Sequence, residues 1–399
     1  MMRLALLAVL VAAVAPAQDF SAAGPYADTF RVMDIPGTTE TMRNSRVYYP
    51  DSSGVFPGSA APAPIAVFGH GWQMGIDRYY SYAAHLASWG FVCVLPTISN
   101  PILDPEHDKR ARLMADAARF VGTLDTVPLD PFFGKLDREK WGFTGHSMGG
   151  SISMLAADTL QLGDTLRCAV GIACPQTTPP THSAHILVPK LLMPGGVDNI
   201  APWAGVRSAF WADAPPPGTF AVIGGANHGY VMDYSYFWEN GGTATITRAE
   251  QQRITRRHLT AFFERYLHGD SSDWNFAYCF GDSILGHPTM DSVEVRLPTV
   301  GAGDHRQPLA AWFFSAPAVV RGRVVFSFGT RVAGPVSLAV FDATGRPVAR
   351  LLDTIRSPGR HAVTWDGTDD LGGRLAPGAY FVRLGVPGFG TTRRLVVLD

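Results

Sequence analysis

Three residues far apart in the chain have the types and the order needed for acyl transfer: Ser147, Asp198 and His228. Ser147 lies in Gly145-His146-Ser147-Met148-Gly149, after the apolar run Trp141-Gly142-Phe143 and ahead of a small-residue stretch, 150–157, that reads as a helix. A serine on so tight a strand-to-helix turn needs neighbours without bulk two positions away on either side. Such a turn leaves the hydroxyl beside a helix N-terminus, where developing negative charge is stabilised. The hydroxyl is a weak nucleophile until a base takes its proton, and the base needs a carboxylate to hold its tautomer and stabilise its positive charge. Asp198 follows Leu191-Leu192-Met193-Pro194-Gly195-Gly196, and His228 follows the run 220–223 and the turn Gly224-Gly225-Ala226-Asn227. Both therefore fall on loops leaving strand ends, in the chain order serine, acid, histidine. Among the 12 histidines, His228 alone occupies a loop of this kind after the acid, while Asp198 competes with a plainer role as cap of a helix beginning near Pro202.

A tetrahedral intermediate also needs two backbone donors. The Met148 amide, directly after the serine, is the first candidate. The second should come from Gly69-His70-Gly71-Trp72-Gln73 after the strand at 65–68, which makes the Trp72 amide the candidate and its indole one wall of the acyl pocket. Core packing is the alternative role for that indole. The cluster Asp104-Pro105-Glu106-His107-Asp108 lacks metal-ligand spacing on one helix face and reads as a solvated loop with a helix cap, so neither metal nor cofactor is expected.

The elements that must position these residues form an alternating series. Apolar runs at 65–68, 91–95, 141–144, 169–173, 191–193 and 220–223 are separated by helix-like segments at 79–90, 109–124, 150–160, 203–212 and 248–267. Strands apolar on both faces, each followed by a crossover helix, predict an α/β domain with a mostly parallel sheet and helices on both faces, led by antiparallel strands within 20–49. Past residue 296 the character changes. Residues 297–312 read as a Gly/Pro-containing linker, and 313–399 carries short strand-like runs separated by turn signals, which predicts an all-β, immunoglobulin-like sandwich.

A chain of 399 residues is long enough for two domains, and 33 basic against 34 acidic residues, without a basic cluster, points away from nucleic acid as a partner. Met1-Met2-Arg3, an apolar run to Val14 and Ala15-Pro16-Ala17 have the layout of a cleaved signal peptide over 1–17, leaving 18–296 as the catalytic domain. No other run is long enough to span a membrane, so the mature chain is expected to be secreted or surface-held rather than membrane-spanning, and a monomer is expected. Four cysteines, Cys93, Cys168, Cys174 and Cys279, are present, and Cys168 and Cys174 on one extended strand would be too far apart to bond.

The elbow Gly145-His146-Ser147-Met148-Gly149-Gly150, the segment Ser99-Asn100-Pro101-Ile102-Leu103-Asp104-Pro105, Val188-Pro189 leading into Asp198-Asn199-Ile200-Ala201-Pro202, and Gly225-Ala226-Asn227-His228 together resemble bacterial cutinases and polyethylene terephthalate hydrolases. These belong to the dienelactone-hydrolase-like branch of the α/β-hydrolases. The resemblance covers roughly residues 20–281 and implies an open serine esterase acting on bulky or polymeric esters. By position it implies Trp72 and Met148 at the oxyanion, and substrate contacts at Trp72, His146, Gln176, Ile200 and Trp203. Three departures stand out: Pro175-Gln176 where the family carries Pro-Trp, no cysteine after Cys279 to complete the family's C-terminal disulfide, and an aromatic insertion at 233–247. The tail, with Val340-Phe341-Asp342-Ala343-Thr344-Gly345-Arg346 and Val363-Thr364-Trp365-Asp366-Gly367, resembles the immunoglobulin-like domain of flagellar hook-capping proteins and type IX secretion sorting domains. That implies a secretion machinery as partner, with a spacer or polymer-binding role as the alternative. A platelet-activating-factor-acetylhydrolase-like or short-chain esterase or lipase, and a non-catalytic surface adhesion protein, are the competing functions.

Overall fold

A computed structural model describes residues 19–99, 105–160, 162–297, 314–315, 319–320, 322–330, 334–356, 359–386 and 389–398. The expected signal peptide, and all of the expected linker but Leu297, lie outside the described residues.

The larger unit is built on one nine-stranded sheet. Its strands are β1 (Ala27–Pro36), β2 (Thr41–Asp51), β3 (Ala63–Gly69), β4 (Val92–Leu95), β5 (Leu136–His146), β6 (Leu166–Ile172), β7 (Lys190–Met193), β8 (Gly218–Ile223) and β9 (Met290–Arg296). They lie in the order β1-β2-β4-β3-β5-β6-β7-β8-β9. From β4 through β8 every neighbouring pair is parallel, whereas β1, β2 and β9 add antiparallel edges. The central strands alternate between two cores: Ile65, Val67, Val92 and Val94 pack on one side, Ala66, Phe68, Cys93 and Leu95 on the other. The first side is covered by α2 (His107–Thr123) and α3 (Met148–Thr159), and the second by α1 (Tyr80–Ser88) and α5 (Arg248–Phe263). Helix α4 (Trp203–Phe210) closes a separate cluster against Phe220 and Val222 of β8. Period-two burial on both faces is why these runs are uniformly apolar.

Two local details differ from expectation. Strand β6 stops at Ile172, because Ala173 turns to φ +48°; Cys174 therefore lies beyond the strand rather than on it. Strand β9 also joins the sheet edge, at a stretch the sequence pattern did not single out. All four cysteines are buried free thiols.

The C-terminal unit forms two sheets, β10 (Phe314–Ser315), β12 (Val324–Thr330) and β15 (Gly359–Trp365) in one, and β11 (Val319–Val320), β17 (Phe389–Val397), β16 (Gly378–Val386), β13 (Gly334–Phe341) and β14 (Pro347–Arg356) in the other. It has its own core, in which Phe326, Leu338, Val340, Trp365, Val382 and Leu395 meet. The fold is thus an α/β-hydrolase sheet followed by a β-sandwich.

Candidate active site

Strand β5 ends at His146, and helix α3 begins at Met148. Between them Ser147 adopts φ +54° and ψ −124°, a conformation that side-chain-bearing residues rarely take. The surrounding glycines explain how the turn fits. A Cβ on Gly149 would stand 1.9 Å from the Gly69 carbonyl oxygen, and one on Gly145 would stand 2.5 Å from the same atom. The end of β3 thus crosses the elbow at backbone contact, which only glycine permits. The Ser147 amide is fixed by donating to the Ile172 carbonyl at 2.9 Å.

Asp198 and His228 sit on the loops after β7 and β8 and meet there. His228 Nδ1 lies 2.7 Å from Asp198 Oδ2. The other carboxylate oxygen accepts the Ile200 and Ala201 amides at 2.8 and 2.9 Å. Asp198 is therefore both a loop cap and the histidine's partner. The loop carrying His228 is locked from beneath by Gln251 of α5, whose side chain accepts the Asn227 amide at 3.1 Å and donates to the Asn227 carbonyl at 2.7 Å. The His228 ring rests against that of His146, with centroids 4.6 Å apart, so it lies against the elbow. Among the described residues no hydrogen bond joins the Ser147 hydroxyl to His228. Catalytic hydrogen bonds are often long in the substrate-free state and tighten around the reacting group.

The segment after β3 is held by two residues that sequence reading passed over. Buried His70 contacts the Gly71 carbonyl through Nδ1 at 2.9 Å and takes the Ile98 amide on Nε2 at 3.2 Å. Burial pushes its pKa down, consistent with a neutral ring that donates at one nitrogen and accepts at the other. The buried Tyr79 hydroxyl accepts the Gly71 amide at 3.2 Å and lies 2.9 Å from His146 Nδ1, so it bridges this segment to the elbow. His70 lies within the donor segment read from the sequence and Tyr79 outside any motif, and for both only their tertiary partners disclose the role.

Of the expected substrate contacts, Trp72, Ile200 and Trp203 are exposed, and Ile200 and His228 flank the same glycine, Gly241. Gln176 is exposed, with its amide oxygen accepting the Thr177 and Thr181 amides at 2.9 and 3.1 Å. His146 departs from expectation: it is fully buried, and burial followed by the adjacent His228 holds its pKa well down. As the last residue of β5 its side chain points into the protein, where it supports the elbow.

No curated protein matches the chain. The C-terminal residues 319–385 match the FlgD Ig-like domain. The PET hydrolase-like family matches residues 15–277, more than half of the sequence, and the chain belongs to that family.

Proposed function

We propose that this ester hydrolase works through an acyl-serine intermediate, with Ser147 as nucleophile, His228 as base and Asp198 as its orienting acid. The observation that carries the reading is the Asp198–His228 bond of 2.7 Å, set against an elbow whose serine is held at φ +54°. His228 takes the Ser147 proton as the oxygen attacks the ester carbonyl, and returns it to the departing alcohol. Water then attacks the acyl carbon as His228 takes its proton, and collapse of the second tetrahedral intermediate expels Ser147 Oγ, which recovers that proton from His228 as the carboxylic acid departs. The amides of Met148, at the N-terminus of α3, and of Trp72 hold the oxyanion in both halves.

The substrate is a bulky or polymeric carboxylic ester of the cutinase or polyester type. Support comes from the family and from large exposed side chains on the segments that follow β3 and β7, Trp72, Ile200 and Trp203. A signal peptide at 1–17 and secretion complete the reading, with the C-terminal sandwich serving in export or as a spacer. Among the described residues no helix is long and apolar enough to cross a membrane. A panel of p-nitrophenyl butyrate, a cutin-like polyester and polyethylene terephthalate film tests the proposal. Hydrolysis of the soluble ester and of at least one polyester is expected, and a Ser147→Ala protein that retained it would overturn the mechanism.

A further inference from the structure

Residues 233–247 follow His228 and lead into α5, and their outer surface is aromatic, with Tyr234, Tyr236, Phe237 and Trp238 exposed. Their inner side is fastened to two parts of the site. On the histidine side, the Asn199 amide donates to the Gly241 carbonyl at 3.0 Å, and the Gly229 amide to the Asn240 carbonyl at 3.1 Å. The Asn227 side-chain amide adds a bond of 3.2 Å to the Gly242 carbonyl. One turn therefore holds the residue after Asp198 and the residues on both sides of His228. A Cβ on Gly241, at φ +59°, would stand 2.8 Å from the His228 Cβ, so this backbone lies against the base of the His228 side chain.

On the other side the segment grips the chain that follows Trp72. Arg78 Nη1 pairs with Glu239 Oε2 at 2.5 Å, and the side chains are only 10% and 15% accessible. The guanidinium also lies 5.0 and 5.2 Å from the Tyr234 and Tyr236 ring centroids. Glu239 accepts the Tyr236 amide at 2.7 Å, while the Asp233 amide donates to the Arg78 carbonyl at 2.8 Å. A pair so withdrawn from water gains little net stability, because desolvation offsets its attraction, yet removing one partner strands the other.

We propose that Arg78 and Glu239 form a positioning pair for the hydrolysis described above. By tying residues 233–247 to the segment that carries Trp72, the pair fixes the turn behind His228, so that the base and the oxyanion donors keep one common geometry. Neither residue touches substrate. The inference rests on the assignment of Ser147, Asp198 and His228.

The test uses the full-length chain and the variants Glu239→Gln, Arg78→Met, Arg78→Lys and the Glu239→Gln/Arg78→Met double variant. Steady-state kinetics on p-nitrophenyl butyrate are measured together with the stoichiometry and rate of fluorophosphonate labelling, which count correctly folded sites and report how well each one reacts. Displacement of a catalytic group by a fraction of an ångström to 1 Å predicts a loss of kcat of about tenfold to a hundredfold in Glu239→Gln and Arg78→Met, with KM changed less than about twofold. Labelling should stay at one site per chain but slow in parallel, Arg78→Lys should keep most of the activity, and the double variant should be no slower than the slower single one. Unchanged kcat and labelling rate in both single variants would overturn the proposal, as would a loss of activity matched entirely by fewer labelled sites. If the unsubstituted chain failed to label at Ser147, the catalytic assignment itself would fall, and the positioning role with it.

Discussion

Asp198 divides its carboxylate between two tasks: Oδ2 meets His228 Nδ1 at 2.7 Å, and Oδ1 takes the Ile200 and Ala201 amides at 2.8 and 2.9 Å. The second set of bonds stops the carboxylate from rotating, so the first can select one imidazole tautomer. On the proposed mechanism, Asp198→Asn removes the charge that stabilises the imidazolium and lets the wrong tautomer form. On p-nitrophenyl butyrate kcat should fall about 10³- to 10⁴-fold with KM nearly unchanged. A loss of less than about tenfold would contradict the role.

The Tyr79 hydroxyl joins the Gly71 amide to His146, two groups that face each other across the end of the sheet. Tyr79→Phe leaves both without that partner in a buried site. Unfolding in urea should show a loss of about 1–3 kcal/mol, and kcat should fall more than KM rises, since the Trp72 backbone is released to move. A fully active, equally stable variant would show the bridge to be incidental.

Much of the fold was legible because the central strands are buried on both faces. Runs such as 65–68 and 220–223 could not be amphipathic helices, and the segments between them had helical length. Strand β9 escaped because Met290-Asp291-Ser292-Val293-Glu294-Val295-Arg296 is an edge, half polar, and lies beyond the last helix of the alternating pattern. In the site, Ser147, Asp198 and His228 were visible because chain order and loop position constrain them. His70, Tyr79, Arg78 and Glu239 were not. Their partners lie 28, 67 and 161 residues away for His70 with Ile98, Tyr79 with His146 and Arg78 with Glu239, and no local pattern encodes such pairings. The aromatic insertion was evident from composition, but its anchoring to the loops of Asp198 and His228 depends on backbone bonds that carry no sequence signature.

Acid should destabilise the protein through its buried histidines. Burial is the main cause that lowers the His258 pKa from 6.5 to about 3 in the folded chain. Between those values the unfolded chain binds a proton that the folded chain refuses, so stability declines as pH falls from 6.5 towards 3. Well inside that window the slope from this residue approaches about 1.4 kcal/mol per pH unit. His258→Asn, which keeps a donor for the Tyr278 carbonyl, should flatten the curve of unfolding free energy against pH by about one proton's worth. An unaltered slope would show that His258 takes up its proton in the folded state.

Among the described residues β9 is the last strand of the large sheet, and the C-terminal sandwich has a separate core. A chain ending at Leu297 should therefore fold and hydrolyse p-nitrophenyl butyrate with kcat within about twofold of the full-length protein. Calorimetry should lose one transition and keep the other. Failure of the shortened chain to fold would mean that the two cores stabilise each other.

The proposed mechanism requires Ser147 to be an activated nucleophile. Reaction of the full-length protein with a fluorophosphonate, followed by peptide mapping, tests it directly. One adduct per chain is expected, on the Ser147 hydroxyl, formed slowly or not at all in the Asp198→Asn protein. Adduct on another residue, or none under conditions where the ester is turned over, would contradict it.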